Sequence, residues 1–142
     1  MANEIAFTTA RIGLVNPLKA KVKSYIAHEA ITAGWAVYSV TASGKAGKAT
    51  AAAASNLAQF RGIALQSVGA GQAVDVCEEG ELYGYTITQD YDAVVYLHDT
   101  AGILSTTNGT IHVRVGRIAS LTDGSTLTKV LSIVTRRDVI WS

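Results

Sequence analysis

Between Arg61 and Ala119 apolar side chains recur at every second position, and Gly-containing breaks separate the runs. Ile111, Val113 and Val115 alternate with His112 and Arg114, which is the period of a strand with one face buried and the other in water. Runs rich in β-branched and aromatic residues mark further strands over 20–27, 35–40, 62–66, 73–77, 82–87, 94–98 and 130–134. Ser43 to Lys48, with two glycines and two lysines, is a loop by composition. Glu78-Glu79-Gly80 and Leu121 to Ser125 are turns, and Thr107-Asn108-Gly109 is a hairpin signal, because Asn-Gly tolerates the positive φ of a type I′ turn. Only Ala49 to Ala58 has appreciable helix propensity, enough for a short helical turn whose small side chains suit close packing. The pattern predicts an all-β fold, a small antiparallel β-barrel or sandwich of about nine or ten short strands.

Residues 1–18 carry Ile5, Phe7, Ile12, Leu14 and Val15 without a sustained period and contain Pro17, the only proline. A segment without a period cannot make a core of its own. The sequence therefore divides into an extended N-terminal arm, 1–18, and a single β-barrel-like domain, 19–142. Those five apolar residues are the arm's candidate contacts with a partner.

At 142 residues the chain is one domain, long enough to bury about 68–70% of its unfolded surface without a disulfide or metal. Cys77 is the only cysteine, so no disulfide forms within the chain, and in the run Ala73 to Cys77 it reads as a small half-buried hydrophobe. The first residues lack the cationic and apolar regions of a secretory signal, and no run reaches the ~20 apolar residues of a membrane span. The expectation is synthesis in a reducing cytoplasm and no membrane partner. A net charge of +1 spread thinly along the chain argues against nucleic acid, which is met by clustered basic faces. Lys19, Lys21 and Lys23 form a short ladder whose spacing puts them on one solvated strand face. Hydrophobic residues make up 49% and charged residues 16% of the chain, where about a quarter charged is ordinary. The surplus belongs at an interface, in a homo-oligomer or on a larger assembly.

Motifs for reactive chemistry fail one by one. Gly47-Lys48 is followed by Ala49 rather than Ser or Thr, and Ala42 stands where a phosphate-binding loop needs its first glycine. Gly69-Ala70-Gly71 begins a dinucleotide fingerprint, but Val74 replaces its third glycine and no helix follows. His28, His98 and His112 fall on three different strands with no partner at metal-ligand spacing. No Gly-x-Ser-x-Gly elbow presents a nucleophile. Glu78, Glu79 and Glu81 are the only acidic cluster and read as solvated charge rather than paired catalytic carboxylates. Asn108-Gly109-Thr110 is a sequon that reads as a turn. The chain is expected not to be an enzyme and to carry no cofactor or metal.

Ala30 to Tyr38, then Phe60-Arg61-Gly62-Ile63-Ala64-Leu65 and Gly69 to Val76, then Val94 to Leu104 running into Val113 to Ile118, form an ordered set of phrases. Their order and spacing over residues 20 to 134 resemble those of small bacteriophage capsid decoration (cement) proteins. The resemblance implies a structural virion protein with a β-barrel-like fold, a homotrimer seated on the capsid exterior and bridging major capsid protein subunits. It also implies an N-terminal segment lying across neighbouring capsid subunits, which makes Ile5, Phe7, Ile12, Leu14 and Val15 the candidate capsid-contact residues. The alternative is a β-sandwich ligand- or carbohydrate-binding module of a virion or surface appendage, with Tyr83, Tyr85, Tyr91 and Tyr96 as its handles.

Overall fold

The computed structural model describes residues 4–52, 56–107, 109–123 and 125–134. Its strands are β1 (Ala6–Phe7), β2 (Gly13–Leu14), β3 (Lys21–Ile26), β4 (Ala36–Ser39), β5 (Ala46–Lys48), β6 (Phe60–Ala64), β7 (Ala73–Tyr83), β8 (Tyr85–Thr86), β9 (Val94–Leu97), β10 (Leu104–Ser105), β11 (Arg114–Asp123) and β12 (Thr126–Val134). Three single 3-10 turns, at Thr9–Arg11, Pro17–Lys19 and Asn56–Ala58, complete the elements. The fold is all-β, as the periodicity predicts, with every strand pair antiparallel in one curled sheet that forms a half-barrel and a small β1–β8 ribbon.

β7 is the spine. Along one edge it meets β2 and then β3, and along the other β12 and then β6: Leu82 pairs with both Leu14 and Leu131, and Cys77 with both Val22 and Ile63. β6 continues to β4 and β5, while β12 continues through β11 and β9 to β10. A bridge from Ala27 to Ala46 joins the end of β3 to β5, so β3, β7, β6, β4 and β5 close on themselves. Elsewhere residues 49–51 tie the two ends of the curl together. Gly102 N–H donates to Ala49 O (2.7 Å), Ala51 N–H to His98 O (3.1 Å) and Ile111 N–H to Ala51 O (2.8 Å). The small side chains of Ala49 and Ala51 permit this approach, and both are buried.

Because strand side chains alternate between faces, the β4–β6–β7 layer serves two cores. Val37, Ala64, Val74 and Val76 face a small core with Ala27, Ile31 and Ala46. Ala36, Tyr38, Phe60, Ile63 and Cys77 face the main core, with Leu97, Val113, Val115, Ile118, Leu131 and Ile133. Val113 and Val115 point inward while His112 and Arg114 are exposed, as the alternation predicts. The inward positions then change parity, to Ile118, because a bulge between Arg114 and Gly116 inserts one residue against β9.

Several elements differ from the sequence reading. Glu78-Glu79-Gly80 is no turn: β7 runs through it, and Gly80, at φ +146°, lets the strand bend where a Cβ would lie 2.9 Å from that of Ala20. The expected loop at 43–48 ends early, since Ala46 and Gly47 are buried and pair with β4 as β5. Asn108 lies outside the described residues, but β10 and β11 both pair with β9, so the segment between them does not join a hairpin. Where Leu121 to Ser125 reads as a turn, β11 runs on to Asp123 and pairs with β12, the last pair of the ladder being Asp123–Thr126. The helical turn falls at 56–58, at the end of the stretch expected to form it, of which 53–55 lie outside the described residues.

Candidate functional site

The five apolar residues of the expected arm lie on their own barrel. Ile5 is only 2% exposed, within the main core, and its N–H donates to Leu104 O (2.9 Å). The Phe7 ring covers Gly34, where a Cβ would sit 2.6 Å from it, and tilts against the Tyr85 ring at a centroid distance of 5.7 Å. Ile12 borders the same position, its Cγ1 3.1 Å from where a Cβ on Gly34 would lie. Leu14 pairs with Leu82 and packs on the main core. Val15 is half-buried, and its N–H donates to Glu81 O (2.9 Å). The arm is thus corrected to a strap, at least from Glu4 onward, with residues 1–3 outside the described residues. It has no period because each anchor meets a different element, β10, β8 and β7 in turn.

What the barrel leaves in water lies elsewhere. Leu18 is 96% exposed, and Val22 and Ile26 on β3 are 43% and 44% exposed. Lys19, Lys21 and Lys23 are all solvated, but only Lys21 and Lys23 lie on a strand, since Lys19 ends the Pro17–Lys19 turn, so the expected three-lysine strand face is corrected to two. Beyond these lysines, Tyr91, Asp92, Arg117, Leu127, Glu81 and Ser132 line an open groove of about 630 Å³ on the outer side of β11 and β12. Arg117 holds its wall by donating to Asp92 O (2.8 Å) with the Asp92 carboxylate 3.7 Å away. Lys129 stands 5.1 Å over the Tyr91 ring and donates to Gln89 O (2.5 Å).

Of the four tyrosines weighed as ligand handles, Tyr83 and Tyr91 are exposed and Tyr96 is half-buried. Tyr85 packs against the main core and its hydroxyl donates to Gly34 O (2.7 Å), and burial pushes its phenol far above the ordinary range. His28 and His112 are exposed, and His98 Nδ1 accepts from Thr100 N–H (3.0 Å) while lying 3.5 Å from the Glu4 carboxylate. Among the described residues no group of three His, Cys, Asp or Glu gathers to hold a metal. The acidic trio is spread along β7: Glu78 accepts from the Tyr25 hydroxyl (3.0 Å), Glu79 stands opposite Lys21, and Glu81 borders the groove. Burial, with the Glu78 and Glu79 charges adding, pushes the Cys77 thiol up to about 11.

Asp99 is a structural residue that the sequence reading missed. Its two carboxylate oxygens accept from Thr110 N–H (2.7 Å) and Thr110 Oγ1 (2.6 Å), and these bonds hold the carboxyl below the usual carboxylate range. The Asp-to-Thr separation of eleven residues carries no local signature; only the fold brings them together. Among the described residues no helix is long and apolar enough to cross a membrane. Comparison of the chain with family models, curated proteins and solved structures finds no match.

Proposed function

We propose that the chain is a structural virion protein that decorates the outside of a phage head as a homotrimer and stabilises it by bridging major capsid protein subunits. The observation that carries this reading is that two complete cores still leave Leu18, Val22, Ile26, Tyr83 and Leu127 in water. Large apolar side chains left in water on β3, β7, β12 and the turn before β3 suit an interface. The resembled phrases supply the kind of interface, and the fold lays them on β4, β6, β7, β9 and β11. The mechanism is mass action: a protein that binds only the assembled lattice stabilises it in proportion to affinity and concentration. Three footprints engaged at once on a closed trimer hold far better than one.

The test is co-sedimentation with empty heads of the phage that encodes the chain, beside light scattering on the free protein. A trimer mass and saturable binding to heads are expected. A monomer that leaves the heads bare overturns the reading. The second reading, a carbohydrate-binding module, draws on the groove beside Tyr91, where an aromatic ring adjoins Asp92, Arg117 and Glu81. Against it, Lys129 covers one face of that ring. Saturable binding on a glycan array with no binding to heads would favour this second reading.

A further inference from the structure

β3 is unusual among the strands of this fold. Lys21, Val22, Lys23, Ser24 and Ile26 are all exposed, and only Tyr25 packs on the small core. On one edge it pairs with β7, and among the described residues no strand covers its other edge over 21–26. Lys19, at the end of the Pro17–Lys19 turn, is exposed as well. Across the ladder Lys21 faces Glu79, whereas Lys23 faces the buried Val76. Among the described residues none of the three lysines closes an ion pair with a carboxylate. The nearby acids are otherwise engaged, Asp75 accepting from Ser24 Oγ (2.6 Å) and Glu78 from the Tyr25 hydroxyl (3.0 Å). The result is a backbone edge flanked by exposed Val22 and Ile26 and by three lysines without a carboxylate ion pair, Lys23 standing 5.1 Å over the Tyr25 ring and Lys21 opposite Glu79.

We propose that this edge docks an extended acidic segment of a partner protein, which adds to the sheet as a strand alongside β3. An edge presents unsatisfied backbone N–H and C=O groups that another strand matches. Acidic side chains alternating with apolar ones would meet Lys19, Lys21 and Lys23 on one side and Val22 and Ile26 on the other. A second copy of this chain fits poorly, because two β3 strands side by side oppose their lysine rows, and like charges across a pair are destabilising. A phosphate backbone or an anionic lipid surface would use the lysines but not the strand edge. The proposal rests on the decoration reading only in taking the partner to be the shell.

The probes are blocked, fluorescently labelled peptides that alternate Glu with Val or Lys with Val, titrated by polarisation against the full chain. The Glu peptide should bind saturably and more weakly as salt rises, and the Lys peptide should not bind. Lys19→Glu, Lys21→Glu and Lys23→Glu together should weaken binding by about tenfold or more, the size expected of three exposed ion pairs. The triple Arg variant should retain it. Absence of saturable Glu-peptide binding, indifference to charge reversal, or binding of a DNA duplex or phosphatidylserine vesicles in place of the peptide would overturn the proposal. Heads separate the two readings. If the wild-type chain leaves heads bare, the decoration reading falls and the peptides alone judge the edge. If the wild type and the triple Glu variant decorate heads equally, the edge proposal falls while decoration stands.

Discussion

Replacing Ile5 by Ala probes whether the N-terminal strap belongs to the barrel. Ile5 is 2% exposed within the main core. The substitution removes three carbons, and at about 0.8 kcal/mol for each buried methylene the transfer loss is about 2.4 kcal/mol. Leu104 and its neighbours are fixed by ladder bonds and cannot close over the space, so the cavity raises the total to about 3–4 kcal/mol. With an unfolding entropy of about 0.3 kcal/mol/K for a chain of this length, the melting temperature should fall by about 10 °C. Leu18→Ala is the control, because Leu18 lies just beyond the strap and is 96% exposed; its effect should stay within about 0.5 kcal/mol. Differential scanning calorimetry and urea melts on both variants decide the matter. If the two variants melt together near the wild type, Ile5 is not a core residue and the strap is an arm after all.

Val113→Asp places an unpaired charge in the main core and should cost several kcal/mol, whereas Arg114→Ala on the exposed face should cost at most about 1 kcal/mol; equal effects in thermal melts would show that the faces are wrongly assigned. Gly116→Ala puts a Cβ 1.8 Å from Ser132 O, a backbone atom of the neighbouring β12, so urea melts should show a loss of about 3 kcal/mol, and an unchanged midpoint would contradict the close approach of β11 and β12. The folded Cys77 thiol sits at about 11 against an ordinary 9.0. A group whose pKa is raised by folding adds stability that is whole below its unfolded value and is lost as pH rises through its folded value, here from about 9 to 11. Ellman's reagent should accordingly react with the native protein at pH 8 only slowly and with the urea-unfolded chain at once; equal rates would place the thiol at the surface.

The parts of the fold that could be read from sequence are those where one local rule decides. The alternation of Val113 and Val115 with His112 and Arg114 sets the faces of a strand, because the side-chain period is fixed by the backbone. The bulge at Gly116, which moves the inward position to Ile118, depends on the neighbouring β9 and has no local sign. Glu78-Glu79-Gly80 looks like a turn by composition, yet β7 has partners on both edges there, and tertiary pairing outweighs weak propensity. The strap failed as an arm for a similar reason: Ile5, Phe7 and Leu14 are anchored one at a time to distant elements, so their pattern is aperiodic although they are packed. The glycine of the phrase Gly62-Ile63-Ala64 is explained by packing, since a Cβ on Gly62 would lie 2.3 Å from Cys77 O. As for the candidate site, the solvated face of Lys21 and Lys23 was visible in the sequence, but the uncovered edge of β3 beside it follows only from strand order.

An image reconstruction of phage heads to which the purified chain has been added tests the proposed function most directly. The account predicts trimeric density on the outer surface at three-fold positions, spanning adjacent capsid subunits, into which the all-β fold docks. A shell whose exterior shows no such density would contradict it.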